Sequence, residues 1–184
     1  MRVISGKYRG KKLLSPKDDY IRPTTDRVKE SMFNMIQNYI YGSKFLDLFS
    51  GSGAIGIEAF SRDAKHITMV ENAKDSLKLI NANLKSINAN KDNIELVNRD
   101  VIDFLKTSGE KYDIIFADPP YDYSKINEII KIVSDNKLLS DEGILIIETE
   151  KDFTLEGCSD FIIEKEKIYS ISKLTVMKIN NLER

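Results

Sequence analysis

The sequence predicts an α/β protein: a doubly wound, Rossmann-like, mostly parallel sheet with a C-terminal antiparallel β-hairpin and a small N-terminal β-hairpin plus helix. Three observations carry that expectation. Short apolar runs at 44–49 (KFLDLF), 66–70 (HITMV), 93–97 (NIELV), 112–117 (YDIIFA) and 143–148 (GILIIE) alternate with segments of helical spacing. The runs are nearly continuous in apolar residues, the pattern of strands covered on both faces. Strand and helix in strict succession then imply crossover connections and a parallel sheet.

Taken in order, residues 2–14 alternate loosely, and Gly6 and Gly10 are turn candidates, so this stretch reads as a small hairpin. A loop follows to about residue 23. Thr24, Thr25 and Asp26 bring helix-start chemistry, and Val28, Met32, Met35, Ile36 and Tyr39 form an apolar stripe at helical spacing that Gly42 ends. Further on, Leu77, Ile80, Leu84 and Ile87 mark one helix and Ile126, Ile129, Ile130 and Val133 another. Residues 160–179 read as two more strands, antiparallel to each other. Without an internal repeat or a linker, the expectation is one domain, 1–184, with 1–42 an N-terminal basic hairpin-and-helix extension and 43–184 the α/β core.

At 184 residues the chain is long enough to bury a sizeable core, and its 41% hydrophobic residues exclude a disordered polymer. No run approaches the ~20 apolar residues a membrane helix needs. The start, MRVISGKYRGKKLL, lacks the apolar stretch of a secretory signal. Cys158 is the only cysteine, which excludes an internal disulfide framework and a cysteine-rich zinc site. His66 is the only histidine and begins a strand, so histidine-based catalytic triads are excluded too. The expectation is a cytoplasmic monomer that binds no metal and works through carboxylates, backbone groups, aromatics or an organic cofactor.

The net charge of −1 conceals an asymmetry: residues 1–30 carry nine Lys/Arg against four Asp/Glu, the remainder 19 against 25. Arg2, Lys7, Arg9, Lys11 and Lys12 fall in the first twelve residues with no acid among them. Such a segment suits a phosphate backbone, whose counterions it releases, and equally suits a solvated surface strand. Lys7, Arg9, Lys11, Lys12, Arg22 and Arg27 are the candidate RNA contacts. Tyr8 is either a base-stacking ring or a hydrophobic anchor for the hairpin.

Asp47-Leu48-Phe49-Ser50-Gly51-Ser52-Gly53-Ala54-Ile55-Gly56 leaves the first core strand, turns on glycines and enters a helix. Glycine there allows positive φ and close approach of a ligand to the backbone. Glu71 ends the next strand, where a carboxylate accepts from ribose hydroxyls. Gly51, Gly53 and Gly56 also satisfy the dinucleotide fingerprint G-x-G-x-x-G. Asp47 tilts the choice: a carboxylate four residues ahead of Gly51 repels a pyrophosphate and suits the ammonium and sulfonium of S-adenosylmethionine.

Asp118-Pro119-Pro120-Tyr121 follows the fourth strand. Consecutive prolines fix φ and remove two amide donors, leaving a carboxylate, rigid carbonyls and an aromatic face close together. That set holds an amino group on a flat base: acceptors take its hydrogens while Tyr121 stacks. An already activated methyl donor needs positioning more than a strong base.

In the order Asp47 to Gly56, Glu71, Asp100 and Asp118 to Tyr121, the chain resembles the class I amino-methylating methyltransferases. Its N-terminal motifs, Arg2 to Gly10 (RVISGKYRG) and Arg22 to Glu30 (RPTTDRVKE), resemble more narrowly the bacterial 16S rRNA guanine-N2 methyltransferases of the RsmD type. The resemblance spans nearly the whole chain. It departs at Ser5, where glycine is common, and in the loosely matched C-terminal strand pair. It implies that Asp47, Ser50, Gly51 and Gly53 border the methionine part of S-adenosylmethionine and that Glu71, beside Asn72, holds the ribose. Asp100, preceded by Asn98-Arg99 and followed by Val101, would meet the adenine. Asp118 and Tyr121 would hold the target guanine with a carbonyl from Pro119, and Arg22 and Thr25 would lie near the cofactor or the RNA. The implied partner is 16S rRNA in a partly or fully assembled small subunit, with the target in its head. Three other readings stand beside it: a DNA or RNA adenine/cytosine amino-methyltransferase, an NAD-linked oxidoreductase, and a non-catalytic RNA-binding protein.

Overall fold

The computed structural model describes residues 1–15, 26–89, 91–156 and 158–180. Two helical pieces, α1 (Asp26–Met35) and α2 (Gln37–Ile40), precede β1 (Lys44–Leu48) and α3 (Ala54–Ser61). The alternation continues through β2 (His66–Glu71), α4 (Lys74–Ser86), β3 (Ile94–Asn98), α5 (Val101–Thr107), β4 (Tyr112–Ala117) and α6 (Ile126–Asp135). Three strands close the chain: β5 (Leu139–Glu150), β6 (Phe161–Ile168) and β7 (Ser172–Ile179). They form one seven-stranded sheet in the order β3-β2-β1-β4-β5-β7-β6. The first five run parallel, and β7 pairs antiparallel with both β5 and β6. The doubly wound sheet with its terminal hairpin is the architecture the apolar runs predict.

Each face of the sheet is covered. One cluster packs Phe45, Ile67, Ile114 and Ile146 under α1, α3 and α4; the other packs Leu46, Val70, Ile115 and Ile147 under α5 and α6. Val3 and Leu13 of the N-terminal segment belong to the first cluster, so the extension shares its core with the sheet.

Three details differ from the sequence pattern. The 2–14 hairpin keeps a single bridge, Arg2 to Lys12, because tight turns at Gly6 and Gly10 (φ +81° and +83°) take up the rest. The helix expected to run on to Gly42 breaks at Ile36, where φ is −113°. There Tyr39 N–H turns to Ile36 O (2.9 Å), and Lys165 Nζ donates to Met35 O (3.0 Å). Finally, β5 begins earlier than 143: Leu139 pairs with Tyr112 before an irregularity that restores register at Ile144–Ile114. The expected helix-start residues Thr24 and Thr25 lie outside the described residues. Among the described residues no helix is long and apolar enough to cross a membrane.

The order of strands reverses direction of growth between β1 and β4, and a crevice at the carboxyl ends of the strands opens at such a switch point.

Candidate active site

One cavity of about 1340 Å³ runs along that edge of the sheet. A pocket for one small organic ligand has roughly 300–1000 Å³, so this space admits more than one. Its floor and walls come from the glycine loop, the ends of β2, β3 and β4, the cavity face of α1 and the β6–β7 turn.

The glycine loop is built from left-handed residues: Phe49, Gly51 and Gly53 have φ of +59°, +55° and +75°. Ser50 Oγ donates to Asp47 O (2.7 Å), which pins the loop to its strand. Gly53 caps α3 but does not line the cavity; a Cβ there would stand 3.3 Å from Ile80, so this glycine serves the turn and its packing. Gly56 plays a similar part, since a Cβ there would meet Met69 at 2.6 Å.

Asp47 lines the cavity yet is almost wholly buried, and its Oδ2 accepts from Gly56 N–H (3.0 Å). Burial pushes its carboxyl up to about 7, opposed by the Gly56 amide and reinforced by the Glu71 charge. Glu71 is held by three amides: Oε2 accepts from Gly51 N–H (2.8 Å), and Oε1 from Asn72 and Ala73 N–H (2.9 Å each). A carboxylate has about four acceptor positions, so Glu71 can still accept from a ligand hydroxyl.

Asp100 is the N-cap of α5, and one oxygen, Oδ1, takes both helix amides, Ile102 (2.9 Å) and Asp103 (3.2 Å). Asp100 and Val101 both line the cavity. Beside them Phe49 and Tyr123 meet edge to face with centroids 4.9 Å apart. The Tyr123 hydroxyl is buried without a hydrogen-bond partner among the described residues. Burial pushes it up to about 12, with the Asp100 and Glu128 charges adding to the effect, so it stays a proton donor.

Asp118, Pro119, Pro120 and Tyr121 line the same cavity where β4 ends. Pro120 O accepts from Tyr123 N–H (2.9 Å), which closes the turn and fixes the segment. Tyr121 lines the cavity and is 59% exposed. The structure thus brings together Asp47, Ser50, Gly51, Glu71, Asn72, Asp100, Val101 and the tetrapeptide, while Gly53 stands apart. Arg22 and Thr25 lie outside the described residues.

Of the expected RNA contacts, Arg27 lines the cavity and Lys7, Arg9, Lys11 and Lys12 do not. Lys7 Nζ sits 3.7 Å above the Phe60 ring and 3.8 Å from Asp63. Tyr8 stacks on Phe60 at 6.0 Å, so it anchors the hairpin. Phe49, Tyr123, Ser31 and Tyr169 also line the cavity, beyond the residues that the sequence motifs single out. Tyr123 carried a signal, two residues beyond the tetrapeptide; Ser31 and Tyr169 carried none. Among the described residues no cluster of His, Cys, Asp or Glu could hold a metal ion.

S-adenosylmethionine presents an ammonium, a sulfonium, a ribose diol and an adenine. Asp47, Glu71 and Asp100 offer carboxylates in that sequence across the ends of β1, β2 and β3, with the aromatic pair Phe49 and Tyr123 next to Asp100. This set of acceptors and aromatic rings fits the groups that the cofactor presents.

A family profile described as Conserved hypothetical protein 95 matches residues 1–178. The chain is 36% identical over 173 residues to the ribosomal RNA small subunit methyltransferase D of Haemophilus influenzae, covering 93% of this chain and 90% of that one. The protein of the same name in Escherichia coli is 36% identical over 169 residues, covering 91% and 84%. The solved structure of yhhF from Escherichia coli superposes with a TM-score of 0.86 at 33% identity, covering 98% of each chain.

Proposed function

This chain belongs to the ribosomal RNA small subunit methyltransferase D family, and we propose that it methylates the exocyclic N2 amine of one guanine in 16S rRNA. S-adenosylmethionine is the cofactor and supplies a methyl group already activated on a sulfonium. The observation that carries the reading is the sharing of one cavity by the carboxylate series of β1 to β3 and the Asp118–Tyr121 segment of β4.

The chain's own residues do three things. Asp47 and Glu71, with the loop amides around Gly51, bind and orient the donor, and Asp100 with Tyr123 meets the adenine. Asp118 and the Pro119 carbonyl accept the two amine hydrogens, which turns the nitrogen lone pair toward the methyl group. Tyr121 stacks on the guanine ring, an interaction every base can make but one that fixes the plane of attack. Asp118, or water beside it, would take the proton that the amine gives up when it accepts the methyl group. Extruding the base from its stack costs a few kcal/mol, which favours a loop nucleotide as target. The substrate is the rRNA of a partly or fully assembled small subunit, approached with the basic residues of segment 1–30, Arg22 and Arg27 among them.

Replacing Asp118 by Ala tests the assignment. Transfer to small subunits falls by at least about a hundredfold, while cofactor affinity measured by calorimetry stays within about threefold. Near-normal turnover in D118A contradicts the role given to this carboxylate.

A further inference from the structure

The cofactor residues occupy only one side of the cavity. In the strand order β3-β2-β1-β4-β5-β7-β6, Asp100, Glu71 and Asp47 sit on the β3-β2-β1 half, and Asp118 stands at the boundary. The other half is closed by the β6–β7 turn, Lys167 to Ser172. This turn shares the carboxyl end of β5, since Glu150 pairs with Ser172. Opposite it, α1 presents Arg27, Glu30, Ser31 and Asn34, a single helical face.

Helix and hairpin are tied together. Lys165 Nζ donates to Met35 O (3.0 Å), and Tyr39 OH donates to Glu164 (3.1 Å). The helical segment therefore runs beside β6, and one turn back from Met35 stands Ser31.

On this side Ser31 Oγ and Tyr169 OH, both on residues that line the cavity, are buried with no hydrogen-bond partner among the described residues, as is Thr149 Oγ1 on β5 outside that lining. Leaving a buried hydroxyl unsatisfied is unfavourable, and it persists where a ligand completes the bond. Around them the turn exposes apolar surface to solvent: Ile168 is 66% and Ile171 41% exposed, and both line the cavity. Buried hydroxyls behind an exposed apolar rim suit a flat ring with polar edges, carried on a chain that continues out of the pocket.

The geometry points to a nucleotide-reading wall on the side of the cavity facing the cofactor, an inference that rests on the rRNA reading above. The hydroxyls of Ser31 and Tyr169 bind the O6/N7 edge of the extruded guanine, and Ile168 and Ile171 pack against the neighbouring nucleotide. This recognition element lies far in sequence from the basic segment 1–30. It works through shape and hydrogen bonds, whereas the basic segment works through charge.

The test is steady-state methylation of unmodified small ribosomal subunits by the full chain and by three variants: S31A, Y169F and I168S/I171S. Each single hydroxyl loss lowers kcat/KM for the subunit about fivefold to tenfold, expressed chiefly in KM. The rim pair does the same, S-adenosylhomocysteine affinity stays unchanged in all three, and the thermal midpoint of S31A and Y169F stays equal or rises slightly as a buried unsatisfied hydroxyl is removed. A wall that is only structural lowers the thermal midpoint or the cofactor affinity together with kcat/KM, and that outcome overturns the inference. Variants indistinguishable from a working wild type overturn it as well, leaving the rRNA reading intact. A wild-type protein that methylates no RNA removes that reading and the inference with it.

Discussion

Lys29 Nζ and Glu58 Oε2 stand 3.3 Å apart with both side chains almost completely shielded from solvent. The pair is the centre of a larger arrangement. Glu58 also accepts from the backbone amides of Ile4 (2.8 Å) and Ser5 (2.9 Å) and from Arg62 Nε (2.8 Å), and Lys29 Nζ donates to Arg2 O (2.6 Å). One carboxylate from α3 thereby fixes the N-terminal hairpin and α1 onto the sheet. Burial pulls the Lys29 ammonium below its ordinary value, and the Glu58 charge opposes that pull. Removing Glu58 leaves a buried cation and two orphaned amides, so E58A loses about 3–5 kcal/mol in urea unfolding. K29A loses less, because Arg62 and the amides still satisfy Glu58. Equal losses in the two variants would contradict this hub.

A second constraint holds the same hairpin. Gly6 adopts φ +81°, and a Cβ there would lie 1.7 Å from Ser61 O, whereas Gly10 at φ +83° faces open space. Replacing Gly6 by Ala costs more than the roughly 1–2 kcal/mol of left-handed strain that replacing Gly10 by Ala costs. Thermal midpoints of G6A and G10A, measured side by side, check the order.

How the sequence foretells this molecule depends on the range of the interaction. The sheet was legible because each parallel strand writes its own burial locally, as in Ile114 to Ala117. That the Asp118 tetrapeptide and Glu71 share one cavity was legible because the first follows β4 directly and the second ends β2. The Lys29–Glu58 pair was not, since its two charges sit on helices with nothing local to mark them as buried. Asn83 is similar: it bonds Leu14 N–H (2.7 Å), Leu14 O (3.1 Å) and Ser52 O (2.9 Å), partners 69 and 31 positions away. Tyr169 and Ser31 escaped notice for the same reason, because only the completed sheet brings the β6–β7 turn and α1 to one cavity.

Asp47 makes the free protein and its complex respond oppositely to pH. Its folded value, about 7, lies above that of an unfolded aspartate, so the stability it contributes is present at low pH and lost as pH rises through 7. In D47N, which keeps an acceptor for Gly56, that decline disappears from the stability–pH profile. A cationic ligand needs the ionised form, so S-adenosylmethionine binding weakens about tenfold from pH ~8 to pH ~6. Calorimetry at several pH values reads the second effect, and a flat profile would contradict the charge role of Asp47.

The Tyr123 hydroxyl, buried near Asp100 without a hydrogen-bond partner among the described residues, costs the free protein stability. Y123F therefore melts at the same temperature or slightly higher in the absence of ligand. With the proposed role at the adenine, it binds S-adenosylhomocysteine about fivefold to tenfold more weakly. Thermal shift with and without ligand separates the two effects.

Transfer to a guanine amine is read most directly by nucleoside analysis. Unmodified small ribosomal subunits are incubated with methyl-labelled S-adenosylmethionine and the full chain, and the recovered 16S rRNA is digested to nucleosides. Label is expected in N2-methylguanosine alone. Label in a methylated adenosine or cytidine, or no label in RNA from subunits despite measured cofactor binding, would contradict it.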